Sequence, residues 1–172
     1  MSFFGKLFGR KADDRAVARP LWHRTVEIAR EKEWYRDCGV ADTVAGRFDM
    51  ITLILSIVLI RMERDAELVE PSVRLTELFV DDMDGQLRES GVGDVVVGKR
   101  MGQLMSVLGG RLGAYREGLL AKDDAMMAEA VDRNVTLHDG ADPLLVARRA
   151  RAFAAGLDLV PAFRVLDAEI GK

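Results

Sequence analysis

The chain has 172 residues, 49% of them hydrophobic and 31% charged, with a net charge of −3. That length suits one domain with a sizeable core, and that charge argues against a general coat for nucleic acid. Aromatic residues make up only 6%, and the recurrence of Ala, Leu, Arg, Glu and Met makes helix the compositional expectation.

Charge is unevenly spread. Residues 1–19 hold five bases against two acids, a net +3, which leaves −6 for the rest. We read 1–19 as a basic, partly flexible N-terminal segment and 20–172 as the helical domain. Phe3, Phe4, Leu7 and Phe8 would share one face of a short helix, with Lys6, Arg10 and Lys11 beside them. That is the pattern of a weak interfacial membrane anchor; a solvated tail, or phenylalanines packed on the domain, are the alternatives. Cys38 is the lone cysteine, so no intrachain disulfide forms. No Cys/His set has metal-ligand spacing and no signal peptide is visible. A cytoplasmic chain, peripheral at a membrane at most, is expected.

In chain order, Pro20 opens a helix expected to run to about Glu33, with Trp22, Val26 and Ala29 on one face. Trp34 to Ala41 reads as a connector in which Trp34 and Tyr35 are core plugs. Asp42 or Thr43 caps the next helix. Its Phe48–Ile60 run is apolar nearly all round and too short to span a bilayer, so it reads as a central buried helix; a buried strand is the competing assignment. A helix beginning near Glu70 buries Leu75, Phe79, Met83 and Leu87, with Asp84 and Arg88 placed to pair and Gly91 as its stop. A long helix is expected from about Lys99 to Leu120, interrupted by glycines that invite close helix packing or a bend near Gly109-Gly110. Asp123 or Asp124 caps a further helix. Asp142-Pro143 starts another, with Arg148, Arg149 and Arg151 as a solvated basic face or an acidic-partner patch. A last helix begins at Asp158. The expected fold is all-α: a single compact domain of about six to eight helices around a buried central helix.

Gly93-x-x-x-x-Gly98-Lys99 resembles part of a phosphate loop. Arg100 stands where the magnesium-binding hydroxyl belongs, and no strand precedes Gly93, so a helix-to-helix corner is preferred over a nucleotide-binding enzyme. The acids Asp81, Asp82, Asp84 and Glu89 spread around a helix rather than across a cleft. His23 and His138 have no local catalytic partner. No catalytic residue, metal or cofactor is nominated, and no DNA-binding motif is present.

Three segments carry a resemblance. The first holds Asp42, Thr43, Gly46, Arg47, Phe48 and Asp49. The second runs from Phe79 to Met101 and holds Asp84, Arg88, Glu89, Gly91, Gly93, Asp94, Gly98, Lys99 and Arg100. The third holds Gly110, Arg111 and Tyr115. Over about Leu21 to Leu120 the chain resembles the ubiquinol–cytochrome c chaperone family, which assists assembly of the respiratory bc1 complex. The resemblance implies a non-enzymatic helical assembly factor whose client is cytochrome b or another bc1 subunit. The membrane surface, the ribosome and a second copy of the chain are further contacts it admits. The motif residues are expected either to bind the partner or to hold the scaffold through ion pairs. Ile54 stands where relatives are expected to carry a histidine, which disfavours a histidine-based haem role. Leu108-Gly109 replaces an expected aromatic before the Gly-Arg pair. A homodimeric helical scaffold, packed through the glycine-rich helix, is the alternative.

Overall fold

A computed structural model describes residues 15–89 and 94–171, with side chains over 15–85 and 102–171. The helices are α1 (Arg19–Ala29), α2 (Lys32–Arg36), α3 (Val44–Met62), a 3₁₀ turn (Ala66–Leu68), α4 (Val69–Glu89), α5 (Asp94–Leu120), α6 (Ala125–Asn134), α7 (Pro143–Asp158) and α8 (Ala162–Leu166). The only pairing of extended backbone among the described residues is a single antiparallel bridge, Val40 to Leu137. The fold is all-α, as the composition implied.

The apolar run becomes the axis of the molecule. Every residue of α3 from Asp49 to Met62 is buried, and α1, α4, α5 and α7 pack around it. Burying one Leu- or Ile-sized side chain stabilises by about 1.5–3 kcal/mol, so this helix anchors the core. Its polar side chains are satisfied locally: the Thr52 hydroxyl donates to the Asp49 carbonyl at 2.8 Å, and Ser56 to the Thr52 carbonyl at 2.6 Å. Arg61, also buried, donates to the Leu157 and Val160 carbonyls at 3.2 and 2.7 Å, satisfying the C-terminal end of α7. Among the described residues no helix is long and apolar enough to cross a membrane.

Several local expectations are corrected. The first helix stops at Ala29 instead of Glu33. The indole N–H of Trp34 donates to the Ile28 carbonyl at 2.8 Å, and the Tyr35 hydroxyl to Ala29 at 2.9 Å. These side chains satisfy the last carbonyls of α1, so the chain turns there and starts α2 within the expected connector. Thr43, not Asp42, caps α3 by accepting from the Gly46 N–H at 3.1 Å. The long helix begins at Asp94, five residues before Lys99, and runs unbroken through Gly109-Gly110. The last helix begins at Ala162 after Pro161 rather than at Asp158. Asp123 accepts from the Ala125 N–H, and Asp142 caps α7 through the Leu144 N–H at 2.9 Å.

The basic residues of α7 are internal ties rather than an open patch. Arg149 pairs with Glu31 at 2.7 Å and lies 4.6 Å from the Trp34 ring. Arg151 donates to the Gly118 and Ala121 carbonyls at 2.7 and 3.0 Å, closing the C-terminus of α5. Arg148 and Arg151 both pair with Asp124.

Candidate functional site

The first and third motif segments meet at one buried polar junction. Asp49, on the first turns of α3, accepts from Arg111 of α5 at 2.8 Å through one carboxylate oxygen. Its other oxygen accepts from the Thr136 backbone N–H at 2.9 Å and the Thr136 hydroxyl at 2.7 Å. The same Arg111 nitrogen donates to Thr52 at 2.7 Å, and its guanidinium lies 5.6 Å from the Phe48 ring. Two helices and the α6–α7 connection are thus fastened through a single carboxylate. Phe48 also packs on Phe79, which meets Trp22 edge-on at 6.0 Å.

Gly46 makes the junction sterically feasible. A Cβ there would sit 2.0 Å from the Ala41 carbonyl oxygen. Only a bare α-carbon lets the start of α3 fold this tightly onto the preceding strand-like segment, whose Ala41 N–H bonds the Thr136 carbonyl at 2.9 Å. Asp42 and Arg47 pair on the surface at 2.6 Å, and the Arg47 guanidinium holds the Asp42 carboxyl below its usual range. Tyr115 is fully buried beneath the junction. Burial pushes its hydroxyl well above the ordinary tyrosine value, and that oxygen has no hydrogen-bond partner among the described residues.

The second motif segment does not join this junction on what is described. Asp84 is half-buried on α4. Gly91 and Gly93, and the N-terminal candidates Phe3, Phe4, Lys6, Leu7, Phe8, Arg10 and Lys11, lie outside the described residues. So do the side chains of Arg88, Glu89, Asp94, Lys99 and Arg100. The backbone from Asp94 through Arg100 is already helical, so Gly98 and Lys99 sit inside α5. A phosphate loop needs that backbone to be open and its amides turned toward the ligand, so the arrangement does not supply one. His23 and His138 are both exposed. Among the described residues no group of His, Cys, Asp and Glu is placed to hold a metal ion.

The outer face of α5 is the opposite of the junction. Among the described residues, and apart from their own helix backbone, Gly102, Gly109, Gly110 and Gly113 have nothing within 4 Å of where a Cβ would stand. They share one side of the helix, with Met105 and Val107 exposed nearby at 41% and 42%. The expected close packing at the glycines therefore occurs at Gly118 alone, where a Cβ would be 2.8 Å from the Met127 α-carbon of α6. An apolar hollow of about 440 Å³ opens between α3, α5 and α7 over Ile57, Ile60 and Leu119. Its rim charges are paired, Arg64 with Asp158 at 2.8 Å and Arg116 with Glu63 at 2.7 Å.

Sequence reasoning nominated Asp42, Thr43, Gly46, Arg47, Phe48, Asp49, Arg111 and Tyr115, and these eight do cluster. It missed Thr52 and Thr136. Thr136 lies 87 positions from Asp49, and no local pattern marks a threonine in a loop as the partner of a distant carboxylate. Gly110, nominated beside Arg111, faces away from the junction. Ile54 is fully buried, so an apolar side chain fills the place where a histidine was expected.

The chain superposes on the crystal structure of the Cbp3 homolog from Brucella abortus with a TM-score of 0.81 and 29% identity, over 98% of this chain and 96% of that one. No curated protein sequence matches. The model of the ubiquinol-cytochrome C chaperone family matches residues 36–164, from α2 to α8 and including the whole junction. The chain therefore belongs to the ubiquinol–cytochrome c chaperone family and serves assembly of the bc1 complex.

Proposed function

We propose that this chaperone holds cytochrome b on the bare outer face of α5, acting by binding rather than catalysis. The observation that carries the reading is the row of four open glycines. Each costs an α-helix about 1 kcal/mol against alanine, about 4 kcal/mol together. Among the described residues nothing uses the space they leave. A client helix does, because helices lacking a hydrophobic drive between them associate where small residues let backbones approach. Exposed Met105 adds a side chain that adapts to varied partners.

The motif residues then divide by role. Asp49, Arg111, Gly46, Thr43, Phe48 and Tyr115 are scaffold, because Asp49, Arg111 and Thr43 spend polar atoms on hydrogen bonds within the chain and Gly46, Phe48 and Tyr115 pack against it. The helical unit from residue 20 onward carries the chaperone activity, in the cytoplasm and peripheral at the inner membrane. The basic N-terminal segment adds membrane contact.

Deletion of the gene is expected to lower bc1 complex in membranes, and the tagged chain to co-purify with cytochrome b. Normal bc1 levels in the deletion strain would sink the reading. A second copy of the chain could occupy the same glycine face. Light scattering separates the two: a stable dimer whose dissociation follows substitution at Gly109 would favour the homodimeric scaffold.

A further inference from the structure

A separate surface hollow is lined by more bases than acids although the whole chain is acidic. The end of α1, α2 and the start of α3 enclose a surface hollow of about 610 Å³. Arg30, Lys32, Arg36 and Arg47 line it. Two acids stand among them: Asp42, paired with Arg47, and Asp37, paired with Arg36. Four bases thus face two acids in a chain of net charge −3. Among the described residues Arg30 and Lys32 make no ion pair or side-chain hydrogen bond. The hollow is also lined by Tyr35 and the exposed His138. Beside Arg47, α3 begins with Val44, which is 87% exposed, and the exposed Ala45.

We propose that this hollow receives the phosphate of an anionic phospholipid headgroup, with Val44 touching the acyl boundary, so that this face seats the chaperone on the membrane. Unpaired bases are attracted to the negative surface of a bilayer, and the attraction falls off within a Debye length. A hollow of this size admits a phosphate diester with part of its glycerol. A free phosphate would satisfy the bases but gives no reason for a fully projecting valine beside them. The proposal builds on the chaperone reading only in placing the chain at a membrane. It uses none of the glycines of α5.

The test is co-sedimentation of the full chain with vesicles of phosphatidylcholine alone or of equal parts phosphatidylcholine and phosphatidylglycerol. Binding is expected only to the second, and to weaken as salt rises. Arg30→Ala and Lys32→Ala should each lower vesicle affinity about fivefold, and Val44→Ser should weaken binding to vesicles. Both bases are exposed, so the variants should melt with the wild type. Vesicle binding that survives the double substitution would overturn the proposal. So would saturable binding of inorganic phosphate that depends on Arg30 and Lys32 without any binding to anionic vesicles. Cytochrome b capture read in the same variants in detergent separates the two readings. Capture kept while vesicle binding is lost supports this proposal and leaves the client site elsewhere. Capture lost together with vesicle binding would assign the hollow to the client and overturn the lipid assignment.

Discussion

Replacing Gly109 and Gly113 by alanine should make the protein more stable and less useful. Among the described residues nothing outside the local helix backbone lies within 4 Å of the added methyl at either position, so no clash offsets the gain in helix propensity. At about 1 kcal/mol each, the double variant gains about 2 kcal/mol. For a chain of this size that raises Tm by roughly 4–8 °C. The same two methyls stand on the face proposed for the client and hold an incoming helix away from the α5 backbone. Cytochrome b recovered with the tagged variant should fall roughly tenfold, equivalent to about 1.4 kcal/mol of lost association. Thermal unfolding followed by far-UV circular dichroism reads the first effect, and affinity purification from membranes the second. A lower Tm would mean that the space is filled. A higher Tm with undiminished cytochrome b would remove the client from this face.

Gly118→Ala should act in the opposite sense. Its methyl meets the Met127 backbone at 2.8 Å, so the α5–α6 contact must open and Tm should fall by several degrees. Asp49→Ala strands Arg111 and the Thr136 N–H in a mostly buried site. Breaking such a pair from one side costs about 3–5 kcal/mol, a fall in Tm of roughly 6–20 °C, whereas Asp49→Asn keeps part of the hydrogen bonding and should lose less. A loss below 1 kcal/mol for Asp49→Ala would show that the junction is not a fastening point. Alkaline stability should report Tyr115. Burial raises its folded pKa, so its contribution is fully present below the unfolded tyrosine value of about 10 and is lost as pH rises above it. A denaturant midpoint that declines no less in Tyr115→Phe than in the parent over that range would contradict this.

The central helix was legible because its signal is one-dimensional. An apolar run without a polar face has one soluble solution, burial on all sides. Thr43 and the Asp142-Pro143 pair were legible as helix starts for an equally local reason: each acts on N–H groups two or three residues away. What failed was long-range. The break after Ala29 is set by two aromatic donors that reach back from α2, and the arginines of α7 are consumed by partners just before α2, at the end of α5 and in the turn before α6. Sequence alone also cannot separate a glycine that admits a neighbour from one that leaves a vacancy. Gly118 and Gly109 look alike in the sequence, yet one abuts Met127 and the other faces open space. The motif residues were found by pattern, but their role as a junction required Thr136.

The central claim is that α5 presents its bare face to the client, and site-specific photo-crosslinking tests it most directly. A photoreactive residue at Met105 or Val107, both exposed beside the glycines, should yield in membranes an adduct containing cytochrome b. The same probe at Leu145, exposed on α7, should not. Adducts of cytochrome b at Leu145 with none at Met105 or Val107, or adducts at α5 that contain only a second copy of the chain, would contradict the account.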